Sequence, residues 1–180
     1  MESRPGLRSG EKQSPSEVFA KHYEDNLPKV YRYIRYRVGN TTVAEDLTSA
    51  VFEKALDKFG SYRTDKGALS TWLISIARNT VVDHYRAAAR RRTVPLEEAI
   101  EVPSQDASPE EEAVRQEEIQ KLQGYLAKLS QREQEIISMK FGAELHNREI
   151  AKVTGLSESN VGVTLYRAIL KLRSEFGVLK

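Results

Sequence analysis

The spacing of hydrophobic and polar residues along the chain predicts a protein built from α-helices. Apolar residues recur at helical intervals in runs such as "AVFEKAL", "STWLISIARNTVVDHY" and "EEIQKLQGYLAKL", and no segment shows the strict alternation of a half-buried strand. We therefore predict an all-α fold, in which Pro28 breaks or kinks the chain because proline has no backbone N–H. The predicted helices lie near residues 16–26, 28–38, 43–59, 69–91, 109–129, 131–141, 147–154 and 158–175.

Capping signals mark several of the predicted helix ends. The S/T-x-x-E pattern fits the capping box, in which the hydroxyl and the Glu carboxylate each accept the other residue's backbone N–H. It occurs at Ser14 with Glu17, Thr42 with Glu45, Ser108 with Glu111 and Ser130 with Glu133. Pro15 and Pro109 occupy the favoured first helical position. In "GLSESNVGVTLYR", Gly155 suits a left-handed residue that ends one helix, and Ser157 suits the N-cap of the next. We therefore predict a short helix, a turn and a longer helix here.

The last predicted helix has two distinct faces. Helical spacing places one apolar set on the core side: Val161, Leu165, Ala168 and Leu172. A second flank carries side chains that can all donate hydrogen bonds: Asn160, Thr164, Arg167 and Lys171. This pattern is typical of a helix-turn-helix, whose second helix enters the major groove of DNA. Ser159 and Asn160 are then placed to reach base edges, while Arg167 and Lys171 meet phosphates. An ordinary helical hairpin is the alternative interpretation.

The amino-acid composition predicts a soluble protein without disulfide bonds. The 180 residues include no cysteine, and 39% are hydrophobic and 30% charged, which is enough for one or two small cores. No stretch approaches the roughly 18 apolar residues of a membrane span, and the polar N-terminus lacks the apolar core of a signal peptide. We therefore expect a cytoplasmic protein that does not insert into a membrane. The net charge of +2 is too small to indicate a partner.

The distribution of charge is more informative than its sum. A basic block ends the fourth predicted helix and an acidic block follows it, although either could be an ordinary solvated surface. The segment 93–108 contains two prolines and little periodicity, so we interpret it as an exposed acidic linker. This predicts two domains, at about 16–92 and 109–177, preceded by a disordered extension over residues 1–15.

The residues give no indication of catalysis. His22, His84 and His146 are isolated along the sequence, there is no cysteine to join them in a metal site, and no glycine-rich phosphate loop occurs. We therefore expect no enzyme activity, metal or cofactor.

Aromatic and basic residues alternate within "SYRTDKGALSTWLISIARNTVVDHYRAAARRR", a composition that suits single-stranded nucleic acid. The rings belong to Tyr62, Trp72 and Tyr85, and the cations to Arg63, Arg78 and Arg86. Packing into a core is the alternative, which we accept for Leu73 and Ile76. Core packing does not explain Arg78, Asn79, Asp83 and Arg86.

Three segments resemble one protein family in order and spacing. These are "AEDLTSAVFEKAL", "STWLISIARNTVVDHYRAAARRR" and "LSQREQEIISMKFGAELHNREIAKVTGLSESNVGVTLYRAILKLR". Together they resemble the extracytoplasmic-function (ECF, group 4) RNA polymerase sigma factors of the sigma-70 superfamily, over about residues 17–175. The resemblance implies a region 2 domain over 17–92 and a region 4 helix-turn-helix domain over 124–175, joined by the short linker.

The resemblance also implies a role for individual residues. The polymerase β′ clamp would contact Asp46, Ser49 and Glu53. A flipped base of the minus-10 element would contact Tyr62, Arg63, Thr64 and Asp65, and nearby DNA would contact Arg78, Asn79, Asp83 and Arg86. The minus-35 element would contact Ser157, Ser159, Asn160, Thr164, Arg167 and Lys171. Many members carry Lys or Arg where this chain has Gly162 and Thr164. Further implied partners are the polymerase β flap and an anti-sigma factor.

Two other functions use the same residues differently. The C-terminal half is similar to the helix-turn-helix of LuxR-type regulators, but the N-terminal half lacks the alternating strands and helices of a receiver domain. A metal-dependent phosphodiesterase would need Glu45, Asp46 and Glu53 to converge, and their spacing on a helix does not bring them together. We therefore predict a sigma factor that directs promoter-specific transcription initiation.

Overall fold

In the computed structural model, residues 15–63, 65, 67–91 and 121–175 are described, and all regular elements within them are helical. The elements are α1 (Pro15–Val38), α2 (Thr41–Lys58), a 3₁₀ turn (Phe59–Ser61), α3 (Leu69–Arg91), α4 (121–126), α5 (Gln131–Ile137), a π-helical turn (Ser138–Gly142), α6 (Asn147–Thr154) and α7 (Glu158–Glu175). The all-α prediction is confirmed. The predicted linker, the extension before Pro15 and the start of the fifth predicted helix lie outside the described residues.

The first two predicted helices form one continuous helix, so of the two outcomes predicted at Pro28, a break or a kink, the break is wrong. Pro28 lies inside α1 at an exposed position, and it leaves the carbonyl of Glu24, another exposed residue, without its intrahelical donor. Burial of Val30, Tyr33 and Ile34 just beyond the proline favours continuing the helix. No helix within the described ranges is long and apolar enough to cross a membrane.

Helices α1 to α3 form the N-terminal unit, whose interior is apolar and partly aromatic. Val51, Leu73 and Ile74 are at most 1% exposed. At one end, the ring of Phe59 meets those of Phe19 and Trp72 edge to face, with centroids 5.1 and 6.3 Å apart. Edge-to-face pairs add to the stabilisation from burying the rings. This cluster fixes the path of the chain from α2 into α3.

Helices α5 to α7 form the C-terminal unit, and capping geometry determines where they begin. At Ser130 the predicted capping box is confirmed, because its side chain accepts from the backbone of Glu133 and the Glu133 carboxylate accepts from the backbone of Ser130. The box predicted at Thr42 is wrong, because α2 starts at Thr41, two residues before the predicted start at residue 43. Asn40 is its N-cap, and its side-chain oxygen accepts the backbone N–H of Val43 at 2.9 Å. The asparagine side chain thus takes the place of the predicted hydroxyl cap.

The predicted helix-turn-helix is present at α6 and α7. Gly155 ends α6 in the left-handed conformation with φ of 75°. Ser157 caps α7 by accepting the backbone N–H of Asn160 at 3.2 Å. Val161, Leu165 and Ala168 are buried, as predicted, and Leu172 packs on the core from its edge.

The two units pack against each other rather than standing apart. The π-helical turn lies against α1, and α6 contacts α3. Arg32 on α1 donates from Nε to the carbonyl of Gly142 at 3.1 Å and from Nη2 to Glu144 at 2.6 Å. Buried residues of both units belong to one continuous hydrophobic cluster.

Two glycine substitutions test the turn between α6 and α7. A methyl group at Gly155 would meet nothing within 4 Å, so the only obstacle to Gly155→Ala is the positive φ. We expect it to lower the free energy of unfolding by about 1 kcal/mol. Gly124→Ala also has free space but lies inside α4, so it should raise stability by about 0.5 to 1 kcal/mol. Urea unfolding measures both, and equal effects of the two changes would contradict the assignment.

Candidate nucleic-acid interface

The flank of α7 predicted to contact duplex DNA is largely exposed. Ser159, Asn160 and Arg167 are open to solvent. Ser157 is exposed too, although its oxygen is committed to the N-cap. The hydroxyl of Thr164, which is partly buried, donates to the carbonyl of Asn160 at 2.7 Å. The first turns of α7 therefore present hydrogen-bonding groups on a rigid, capped helix.

Lys171, at the far end of the same flank, has a protein partner. Its Nζ donates to both carboxylate oxygens of Glu133, at 2.7 and 2.9 Å. The Glu133 side chain is only 9% exposed, and the hydrogen bond from Lys171 lowers the pKa of its carboxyl. Helical spacing places Lys171 on the same flank as Arg167. In the structure, however, the Lys171 side chain bonds to Glu133 and so links α7 to the capping box of α5.

A stripe of exposed apolar residues beside the polar flank was not singled out from the sequence. Val163, Tyr166 and Leu170 are 45%, 65% and 37% exposed. Their i, i+3, i+7 spacing in the sequence could have revealed this stripe, since it defines a helix face distinct from the buried face of α7. The aromatic ring of Tyr166 adds contact area next to Arg167.

Aromatic rings and a cation surround a cleft at the start of α3. The rings of Tyr62 and Trp72 lie 5.3 Å apart, and the Tyr62 hydroxyl donates to the carbonyl of Gly67 at 3.0 Å. Burial raises the pKa of Tyr62 above its ordinary value of 10.0. The cleft encloses about 240 Å³. Arg63 lines it too, and its Nε lies 3.2 Å from Asp65. Thr64 lies outside the described residues.

The polar residues of α3 occupy different environments. Arg78 is 34% exposed and donates to Glu135 of α5 at 2.8 Å. Asn79, Asp83 and Arg86 are exposed, and none of them lines the cleft. Arg86 lies 3.8 Å from Asp83. The structure therefore brings Tyr62, Arg63 and Trp72 together, while the exposed residues of α3 extend away along the helix.

The face of α2 that carries Asp46, Ser49 and Glu53 is exposed, as predicted. Asp46, Ser49 and Glu53 are exposed, whereas Val51 is buried and Leu47 is partly buried. Leu56, one turn beyond Glu53, is 49% exposed and extends this face with an apolar contact that the sequence analysis missed. Among the described residues, no three His, Asp or Glu side chains are close enough to hold a metal ion.

Comparisons with known proteins identify both units. The family model for sigma-70 region 2 matches residues 22–91, and that for sigma-70 region 4 matches residues 119–172. The chain is 32% identical to the ECF RNA polymerase sigma factor BldN of Streptomyces coelicolor, over 87% of this chain and 60% of BldN. It is 30% identical to the ECF RNA polymerase sigma factor SigD of Mycobacterium tuberculosis, over 82% of this chain and 72% of SigD.

The fold is also similar to that of a solved sigma factor. This is RpoE of Bartonella quintana, crystallised with the anti-sigma factor NepR, with a TM-score of 0.70 and 21% identity. The alignment covers 91% of this chain and 99% of RpoE.

The bond between Lys171 and Glu133 predicts a pH-dependent stability. Lys171→Met should lower the free energy of unfolding by about 1 to 2 kcal/mol at pH 7, because a largely buried carboxylate loses its charged donor. The pKa of Glu133 is lowered in the folded state, so its contribution is present above the ordinary value of about 4.5 and is lost as the pH falls through the folded value. The difference from the unsubstituted protein should therefore shrink in acid.

Urea unfolding from pH 7 to pH 3 measures this difference, with Lys58→Met, at an exposed lysine of α2, as the control. A difference for Lys171→Met that stays constant into acid would contradict the role of Glu133.

Proposed function

The chain belongs to the ECF sigma factors of the sigma-70 family, which direct promoter-specific initiation of transcription, and from this premise we propose how its residues divide the work. We assign it to group 4, with a region 2 domain at about 16–92 and a region 4 domain at about 109–177 joined by the acidic linker. It acts in the cytoplasm as a non-catalytic subunit of RNA polymerase, without a cofactor.

The region 4 domain reads the minus-35 element with α7. The observation that carries this proposal is the polar flank of α7, which is exposed while the opposite side is buried. Ser157, Ser159 and Asn160 lie at the helix start, where side chains reach base edges in the major groove. Arg167 binds phosphate. Gly162 and Thr164 supply no cation, so hydrogen bonding carries more of the contact.

The region 2 domain captures unpaired bases of the minus-10 element. Tyr62 and Trp72 offer ring faces, and stacking of a base on an aromatic side chain contributes about 1 to 3 kcal/mol. The proposed contacts to the captured base also include Arg63, Thr64 and Asp65. DNA continues along α3, where it meets Arg78, Asn79, Asp83 and Arg86.

Core polymerase is needed to open promoter DNA, because a protein of this size makes too few contacts to do so alone. Base-pair steps in DNA stack at about 1.4 kcal/mol each, so opening several of them needs more than two weak contacts. Asp46, Ser49 and Glu53 bind the β′ clamp, with Leu56 adding an apolar contact, and region 4 binds the β flap. Held at fixed separation on polymerase, the two domains act as one site of high effective concentration. An anti-sigma factor, the kind of partner that RpoE binds in its crystal structure, is the proposed regulator.

The LuxR-type alternative is not favoured. It accounts for the helix-turn-helix of α6 and α7 but not for the N-terminal unit, which is a three-helix domain matched by the region 2 model.

Arg167→Ala tests the phosphate contact of α7. We expect holoenzyme to bind promoter fragments more weakly, by a similar factor for all minus-35 sequences. The slope of log K against log salt should flatten by about 0.9, the value for one phosphate contact. Arg132→Ala, at an exposed residue of α5, is the charge-matched control. An unchanged salt slope for Arg167→Ala would remove it from the interface.

Asp46→Arg tests the polymerase face of α2. Charge reversal on this exposed residue should abolish co-purification with core polymerase while leaving the helical circular dichroism intact, because complementary charge steers and fixes the interface. Glu24→Arg, on the exposed side of α1, makes the same change in net charge and should leave binding unaltered. Full retention of core binding by Asp46→Arg would refute the assignment.

A further inference from the structure

We propose that Val163 and Tyr166 form an apolar contact on α7 that recognises the C5-methyl group of thymine in the minus-35 element. This inference rests on the proposed function, because it concerns how α7 reads duplex DNA. It adds two residues and a chemical preference, since the other DNA contacts proposed for α7 use hydrogen bonds or a positive charge. Three observations carry it: the direction of the two side chains, their exposure, and the glycine one turn before Tyr166.

The first observation is that Val163 and Tyr166 point away from the interior of region 4. The buried side of α7 is marked by three residues that are at most 7% exposed: Val161, Leu165 and Ala168. Successive residues of an α-helix lie about 100° apart around its axis, so Val163 lies roughly 165° from the centre of this set. Tyr166 and Arg167 lie on either side of Val163, each roughly 130° from the same centre. These three residues therefore form the side of α7 opposite the core.

The second observation is that exposure agrees with these directions. Tyr166 is 65% exposed and Val163 is 45% exposed, whereas Thr164 of the polar flank is partly buried. Thr164 lies only about 65° from the centre of the buried set. A recognition helix lies in the major groove with its core side held by the rest of its domain, so the opposite side meets the base pairs. Val163 and Tyr166 are therefore better placed than Thr164 to meet base edges.

The third observation is the open space one turn before Tyr166. Apart from chain neighbours and the backbone of its own helix, a Cβ atom at Gly162 would have only Asn147 Nδ2 within 4 Å, at 3.9 Å. Side chains of a helix lean toward its N-terminus, so the Tyr166 ring is directed over the turn that contains Gly162 and Val163. No side chain at Gly162 competes for that place. An aromatic ring and two methyl groups thus meet near the start of α7, the part of the helix that reaches base edges.

The chemistry of this face selects one group in the major groove. Thymine presents a C5-methyl group there, whereas guanine presents two acceptors, N7 and O6. The Val163 side chain has no donor for those acceptors, and Gly162 and Thr164 supply no Arg or Lys, the side chains that most often bind guanine. A guanine placed against Val163 would lose its hydrogen bonds to water without replacement. The face therefore favours an A·T pair, with the methyl group on either strand.

DNA suits this face better than an apolar surface of another protein, because polar and charged groups border it. Ser159 lies one turn before Val163, and Arg167 lies one turn after it; both are exposed. A thymine methyl group has a similar surrounding, with base acceptors beside it and phosphates at the groove edge. The apolar pair is thus continuous with the hydrogen-bonding and cationic groups that are proposed to contact the same duplex.

The test measures binding of holoenzyme to promoter fragments that differ by single methyl groups. The probe is a fragment that holoenzyme itself enriches from a library randomised at the minus-35 element. Each thymine of that element is replaced in turn by deoxyuridine, which pairs as thymine does but lacks the methyl group. We expect at least one replacement to weaken binding about three- to fourfold, the value for burying one methyl group. Cytosine at the same place should bind more tightly when methylated at C5, by a similar factor.

Two variants connect the effect to the proposed residues. With Val163→Ala or Tyr166→Ala, thymine and deoxyuridine should bind alike at the position that the residue contacts, because the methyl group has lost its partner. Leu170→Ala, at an exposed position farther along the same stripe, is the matched control and should keep the preference for thymine. The deoxyuridine comparison itself uses the unsubstituted protein, so it does not depend on the folding of any variant.

Three results overturn the inference. One is enrichment of a minus-35 element without thymine on either strand, and another is equal binding of thymine and deoxyuridine at every position. The third is a preference for thymine that persists in both variants; if these variants also lose core polymerase, the face belongs to a protein partner. Failure of the proposed function is distinguishable, because holoenzyme would then enrich no minus-35 sequence at all. An enriched element whose thymines do not matter leaves α7 as the DNA reader and removes only the methyl contact.

Discussion

The close contact between α1 and the π-helical turn is the constraint on which the arrangement of this protein depends. Gly142 brings two backbones within van der Waals distance, and the carbonyl of that glycine then meets Arg32. Because α1 also packs on α2 and α3, one helix serves both units. The geometry of the cleft, the pairing of Arg78 and the exposure of α7 all follow from where this contact places region 4.

Local features of the fold could be predicted from sequence, because they depend on residues near one another in the chain. Gly155, Ser157 and the capping box at Ser130 each satisfy backbone groups within a single turn. Two local predictions were wrong for physical reasons. At Pro28, the burial of apolar residues just beyond the proline outweighed the loss of one backbone hydrogen bond. At the start of α2, Asn40 rather than Thr42 is the N-cap.

Less of the candidate site could be predicted from the sequence, because the environment of several of its residues depends on contacts with residues far away in the chain. Spacing identified Arg78 and Lys171 as polar and unsuited to the core, yet could not show that each binds a glutamate of α5. Those pairs join residues 57 and 38 positions apart in the chain, and only the packing of the helices brings them together. Exposed residues such as Asn160 and Asp46 form no such side-chain pair with any other described residue, and their predicted exposure is confirmed.

The π-helical turn also limits how this protein can vary in length. Such a turn holds one residue more than an α-helix would, and here the N–H of Ala143 reaches back five positions to the carbonyl of Ser138. Deleting a single residue from it would restore regular winding and rotate everything downstream by about 100°. The glycine would then turn away from α1, so insertions and deletions should be rarer in this segment than substitutions among descendants of the same gene.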